Sequence, residues 1–129
     1  MRLLLDTHAF LWLVGESPSK LSRKAIEACE DERNDLLLST ASVWELQIKH
    51  QIGKLRLKRP LNEIIEQQLG LDNVAMLPIE LAHIYALADL ERHHRDPFDH
   101  MLVAQAQVEK AQLISHDGLL AKYPVTILW

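Results

Sequence analysis

Short, nearly continuous apolar runs recur along this chain between longer stretches of helical spacing, and that alternation restricts it to few architectures. Residues 2–5 (RLLL), 35–39 (DLLLS), 74–77 and 112–116 are too short for helices and lack polar alternation, so they read as strands buried on both faces. A closing strand is expected over residues 125–128. Helical patterns fill the gaps. They cover residues 9–14 with Thr7 as cap, residues 22–32, and a segment opened at Ser39, Thr40 or Ser42 with Val43, Leu46 and Ile48 on its apolar side. Others run over 61–69, opened by Pro60 and closed by Gly70, and over 80–93, where Leu81, Ile84, Leu87 and Leu90 recur at steps of three. Asp96 and Pro97 have the chemistry of a cap and first helical residue, and a helical turn is expected over 119–123. This order predicts an α/β fold, a three-layer α/β/α arrangement around a mostly parallel central sheet.

At 129 residues the chain is expected to form one domain, 1–129, with a substantial core. The segment 3–14 resembles the apolar part of a signal peptide, but Asp6 and His8 interrupt it, and no apolar span is long enough for a membrane helix. A cytoplasmic protein is the expectation. The single Cys29, set among Ala25, Ile26 and Ala28, reads as an inert, buried small hydrophobe in a reducing compartment. A net charge of −4 does not mark the whole chain as a nucleic-acid binder, so the distribution of charge matters more than its sum.

Ligands of parallel α/β sheets bind beyond the carboxyl ends of the strands. Asp6 and Asp117 fall at two such ends and Ser39 at a third, while Glu45 and Asp99 lie in helices expected to start near the same rim. Two carboxylates brought to ~4 Å at an effective dielectric near 20 repel by about 4 kcal/mol. A hard divalent cation removes that repulsion. Oxygen donors suit Mg²⁺ or Mn²⁺, and the chemistry such a site serves most often is phosphodiester or phosphoryl transfer. Each acid also has a structural explanation. Asp6 and Asp96 could cap helices, Glu45 could complete a capping box with Ser42, Asp99 favours a helix dipole, and Asp117 with Gly118 makes a turn. Their common rim is what favours function.

His93, His94, Asp96, Asp99, His100, His116 and Asp117 offer a competing histidine-rich site for zinc or iron, but no recognised ligand spacing supports it. His93 and His94 read instead as the end of a helix, and His100 or His116 as possible phosphate contacts. Lys49, Lys54, Arg56, Lys58 and Arg59 form the one concentrated basic stretch, able to guide a polyanionic backbone or simply to be solvated. Trp12, Trp44 and Trp129 read as core or interface fillers.

The segments LLLDTHAFLW, STASVWEL, RDPFDHMLVAQA and LISHD, in this order across nearly the whole chain, resemble the PIN-domain family, and within it the VapC-type ribonuclease toxins of type II toxin–antitoxin pairs. The resemblance implies a compact α/β/α fold, Mg²⁺ or Mn²⁺ held by acids, endonucleolytic cleavage of RNA, a homodimer, and inhibition by a small antitoxin. Carried over by position, Asp6, Glu45, Asp99 and Asp117 are the family's acids. Asp96 is an extra carboxylate, and Ser115 and His116 stand where the family often carries a Thr-Arg or Ser-x pair. On this reading Asp6, Asp99 and Asp117 bind metal, and Glu45 is a ligand or a base for the attacking water. The alternative is a PIN-like module that binds RNA or protein without cutting. A receiver-like or dehalogenase-like phosphatase is disfavoured, the latter by His8 where a second Asp is needed.

Overall fold

A computed structural model describes every residue except 16 and 72. Five strands, β1 (Arg2–Leu5), β2 (Asp35–Ser39), β3 (Ala75–Leu77), β4 (Gln112–Ile114) and β5 (Ile127–Leu128), form one sheet in the order β3-β2-β1-β4-β5. Every pairing is parallel, so the expected mostly parallel sheet is wholly so. Among the described residues six α-helices flank it: α1 (Thr7–Val14), α2 (Arg23–Glu30), α3 (Thr40–Gln51), α4 (Leu61–Gly70), α5 (Leu81–Ala86) and α6 (Pro97–Glu109). Short 3₁₀ turns cover Pro18–Lys20, Leu87–Asp89 and Leu120–Lys122. The result is a three-layer α/β/α fold.

The period of two in β1 divides the core. Leu3 and Leu5 pack with Phe10, Ala25, Leu36, Leu38 and Leu46 on one face, while Leu4 packs with Leu37, Leu102, Val103, Ala106 and Leu113 on the other. All of β1's leucines are fully buried, which is why its run shows no polar alternation. The chain leaves β1 toward β2 and β3, then returns to add β4 and β5 on the opposite side. Strand order therefore reverses beside β1, and the crevice beyond the β1 and β4 ends is where such a fold binds ligands.

Local departures from the sequence reading have clear causes. Thr7 does not cap α1; Asp6 does, its Oδ1 accepting from the Ala9 N–H at 2.7 Å, so the helix starts two residues earlier than expected. β4 stops at Ile114 because Ser115 turns its Oγ back to accept from the Asp117 N–H at 3.0 Å, leaving His116 and Asp117 beyond the strand. The helix expected over 80–93 ends as an α-helix at Ala86, and its apolar steps face outward: Leu81 is 64% exposed and Ile84 46%. The buried residue is His83. Its Nδ1 accepts from the Glu80 N–H and its Nε2 donates to Glu109 Oε2, each at 3.0 Å, so a polar side chain anchors α5 to α6. His93 and His94, expected at that helix's end, lie outside any helix.

Ser39 settles the start of α3: its Oγ accepts from the Ala41 N–H at 3.0 Å, which places Ser42 inside the first turn and excludes a Ser42–Glu45 capping box. Ser39→Ala should cost about 1 kcal/mol, the usual worth of such a cap. Urea denaturation checks this; an unchanged midpoint would show that the cap does not hold α3.

Candidate active site

Asp6 lies one residue past β1, Asp117 three past β4, Glu45 in the second turn of α3, and Asp96 and Asp99 at the cap and first turn of α6. All five side chains line one cavity of about 260 Å³ at the strand ends, together with Thr7, His8, Trp12, Lys49 and His116. Topology thus brings together acids up to 111 residues apart in sequence.

Asp6 is buried, and burial pushes its carboxyl above the ordinary range despite the Ser115 hydroxyl, the Ala9 N–H and His8, with Asp117 raising it further. Ser115, itself buried, bonds both Asp6 and the Asp117 backbone and so ties the two strand ends together. Asp99 is pushed up to about 6, chiefly by burial and then by Asp96 and Asp117, against the lowering effect of His94. Asp96 caps α6, its Oδ1 accepting from Phe98 N–H at 2.9 Å and Asp99 N–H at 3.3 Å. Glu45 is buried and engaged at both oxygens: Thr7 Oγ1 donates to Oε1 at 2.6 Å, and Lys49 Nζ lies 2.8 Å from Oε2.

Among the described residues Lys49 is the one lysine or arginine on this cavity, and its charge is met by Glu45. The remaining acids are brought together with little to balance them. Among the described residues no three carboxylate, imidazole or thiol groups are gathered tightly enough to hold an ion as they stand. The donor set nonetheless suits a hard divalent cation in chemistry, being all oxygen, partly buried and mutually repulsive. Asp6, Asp99 and Asp117 are the acids that would hold it.

The cavity holds participants that no local sequence signal marks. Thr7, expected as a cap, holds Glu45 instead. Trp12, expected as a filler, lines the cavity, edge-on to Trp129 at 5.9 Å and beside His8. His116, expected as a possible phosphate contact, is on the cavity wall and stacks on Trp129 at 5.1 Å. Behind Asp99 runs a relay: the His93 N–H donates to Tyr123 Oη at 3.0 Å, Tyr123 O–H to His94 Nδ1 at 2.8 Å, and His94 Nε2–H to Asp99 Oδ2 at 2.8 Å. Tyr123 was legible only as the end of a turn, because its partners lie about thirty residues away. Tyr123→Phe would leave two donor–acceptor groups without their partner, so it should destabilise the fold by about 1–3 kcal/mol and reduce any activity that depends on Asp99 by about tenfold or more. Thermal melts and rate measurements on the variant check both; unchanged values would show that the relay does not position Asp99.

The histidine-rich alternative does not assemble. His94 has both ring nitrogens engaged, His100 Nε2 donates to the His94 carbonyl at 2.7 Å, and His116 faces the acidic cavity instead. Of the basic stretch, Lys49 reaches the cavity and Lys54 lines an adjoining one of about 280 Å³ with Thr7, His8 and Lys49. Arg56, Lys58 and Arg59 are exposed and line neither. Ser39 caps α3 and does not line the cavity. Cys29 is half-buried, with burial pushing its thiol up to about 11, far from a reactive nucleophile.

The family model of the PIN domain matches residues 3–125, a span that includes all these acids. The chain belongs to the PIN-domain family. This PIN domain is similar in fold to chains from three solved structures. One, of VapBC2 from Rickettsia felis bound to a promoter DNA fragment, gives a TM-score of 0.71 at 14% identity, covering 98% of this chain and 97% of that one. FitAcB from Neisseria gonorrhoeae gives 0.62 at 18%, covering 97% and 95%, and VapBC-1 from nontypeable Haemophilus influenzae 0.57 at 17%, covering 98% and 96%. No curated protein matches the chain. Among the described residues, no helix of the PIN domain is long and apolar enough to cross a membrane.

Proposed function

We propose that this PIN domain is a Mg²⁺- or Mn²⁺-dependent endoribonuclease of the VapC type, the toxin of a type II toxin–antitoxin pair. The observation that carries the reading is the convergence of Asp6, Asp99 and Asp117 on one cavity, with burial raising two of the three carboxyls. Clustered acids of this kind destabilise a fold that has no use for them. Membership of the PIN family and similarity of fold to chains from VapBC structures support the nuclease and toxin reading.

A divalent cation held by these acids would activate water and offset charge on the scissile phosphate. Asp6 and Asp99 are presented by rigid elements, a strand end and a capped helix, so their carboxylates are preorganised. Ser115 and His94 orient them through hydrogen bonds. Glu45, held by Thr7 and Lys49, is better placed to orient the attacking water than to act as a ligand. No side-chain nucleophile is required.

The protein is read as a single cytoplasmic domain that homodimerises and is inhibited by a small cognate antitoxin. Cleavage of a mixed RNA pool with Mg²⁺ or Mn²⁺, against EDTA, tests the central reading. Cutting that depends on the metal is expected. Cutting that persists in EDTA would overturn the metal-dependent mechanism, and none from folded, antitoxin-free protein would replace it with a non-catalytic RNA- or protein-binding module.

A further inference from the structure

The first turn of α6 has two sides. Asp96 and Asp99 face the acidic cavity, whereas Pro97 and His100 face a separate cavity of about 630 Å³. Arg92, His93, His94 and Arg95 complete the wall of the second cavity, and among the described residues no carboxylate lines it. In a chain of net charge −4 this is a local reversal of sign. Arg92 and Arg95 are exposed, and neither has a hydrogen-bond or ion-pair partner among the described residues.

The wall behind them is firm. His94 is pinned by Tyr123 and Asp99, His100 is buried and bonded to the His94 carbonyl, and the His93 ring lies edge-on to Tyr123 at 4.9 Å. His94 also links the two cavities, lining one while its Nε2 bonds an acid of the other. A group seated there is one side chain away from the acidic site.

Resting on the reading of the substrate as RNA, we propose that this cavity binds backbone phosphate of the strand flanking the scissile bond, with Arg92 and Arg95 as the contacts. Guanidinium groups match phosphate geometry in pairs of parallel hydrogen bonds, and unpaired ones forfeit no internal salt bridge on binding. The strand is then held by cations on both sides of the acids, Lys54 on one and the arginine pair on the other. Such contacts position the strand without reading its sequence.

The test measures binding of a fluorescein-labelled, mixed-sequence oligoribonucleotide in EDTA over a range of salt, for the full chain and for an Arg92→Gln/Arg95→Gln variant. Affinity should fall about tenfold, and the slope of log affinity against log salt should shrink by about 0.7 per lost contact, roughly 1.4 in all. An Arg92→Lys/Arg95→Lys variant, which keeps the charge, should keep most of the slope and guards against a folding defect. In cleavage assays with Mn²⁺ the Gln variant should raise KM with little change in kcat. Unchanged affinity and slope would overturn the proposal even if the wild type cuts RNA. The expected loss of binding in a protein that cuts nothing would uphold it while removing the nuclease. Loss of binding to poly-glutamate but not to RNA would overturn it in favour of an acidic protein segment.

Discussion

Asp6→Asn and Asp99→Asn should each reduce RNA cleavage by at least about a thousandfold while leaving the protein folded, because each removes a charge on which several kcal/mol of transition-state stabilisation depends. Both substitutions are nearly isosteric. Asn at position 6 can still accept the Ala9 N–H that starts α1, since Asn and Asp cap helices equally well. Asn at position 99 can still accept from His94 through its carbonyl oxygen. What each loses is the charge. Initial rates on an RNA pool, with circular dichroism to confirm the fold, check this, and near-native rates in both folded variants would dismiss the acidic cavity as the catalytic centre.

Divalent metal should stabilise the protein strongly at neutral pH. Its acids are close and partly buried, so an ion that binds the folded chain alone adds about 2.7 kcal/mol at a hundred times its Kd, or about 10 °C in Tm for a chain of this size. The metal-free protein should show the corresponding weakness. Asp99 is raised from its ordinary 3.8 to about 6, first by burial. The folded chain therefore holds that proton to higher pH than the unfolded chain does. Between about pH 4 and pH 6 the folded state binds more protons, so stability falls as pH rises through that window. Asp6, shifted in the same direction, adds to the fall. Asp99→Asn should flatten it, make the metal-free protein more stable than the wild type at pH 7, and remove most of the metal-dependent rise. Melts across pH with and without Mn²⁺ measure all three. A wild-type Tm indifferent to saturating metal would sink the idea of a metal centre here.

The two outcomes belong together. A variant that gains metal-free stability while losing cleavage would show that the cavity's charge is retained for chemistry at the expense of the fold. Tyr123 and His94 would then limit that expense, since their hydrogen bonds hold Asp99 in place and partly lower its carboxyl.

Elements whose signal is local were readable from the chain alone. The leucines of β1 and β2 announce buried parallel strands, and Asp96-Pro97 marks the start of α6 to the residue, whereas the sequence leaves the start of α3 open among Ser39, Thr40 and Ser42. From these the layer architecture and the rim that gathers the acids could be inferred, because parallel crossovers permit few arrangements. The stripe of Leu81 and Ile84 misled for an equally physical reason: apolar spacing shows that a helix has two faces, but which face is buried depends on the neighbour. Here Glu109 on α6 offers His83 a hydrogen-bond acceptor, and that contact turns the stripe outward.

Side-chain partnerships across elements lay beyond the same reasoning. Whether Glu45 is free or held depends on Thr7, 38 residues away, and on a Lys49 contact that competes with solvent. Tyr123 reaches His94 over 29 residues, and Arg92 and Arg95 come to line one cavity with Pro97 and His100 only once α6 has packed in place. Periodicity and capping act within a turn or two of the backbone, so the chain carries its elements, their order and the shared rim of its acids in plain view. Hydrogen-bond partners, burial and the sign of local charge arise where distant segments meet, and those were decided by packing in three dimensions.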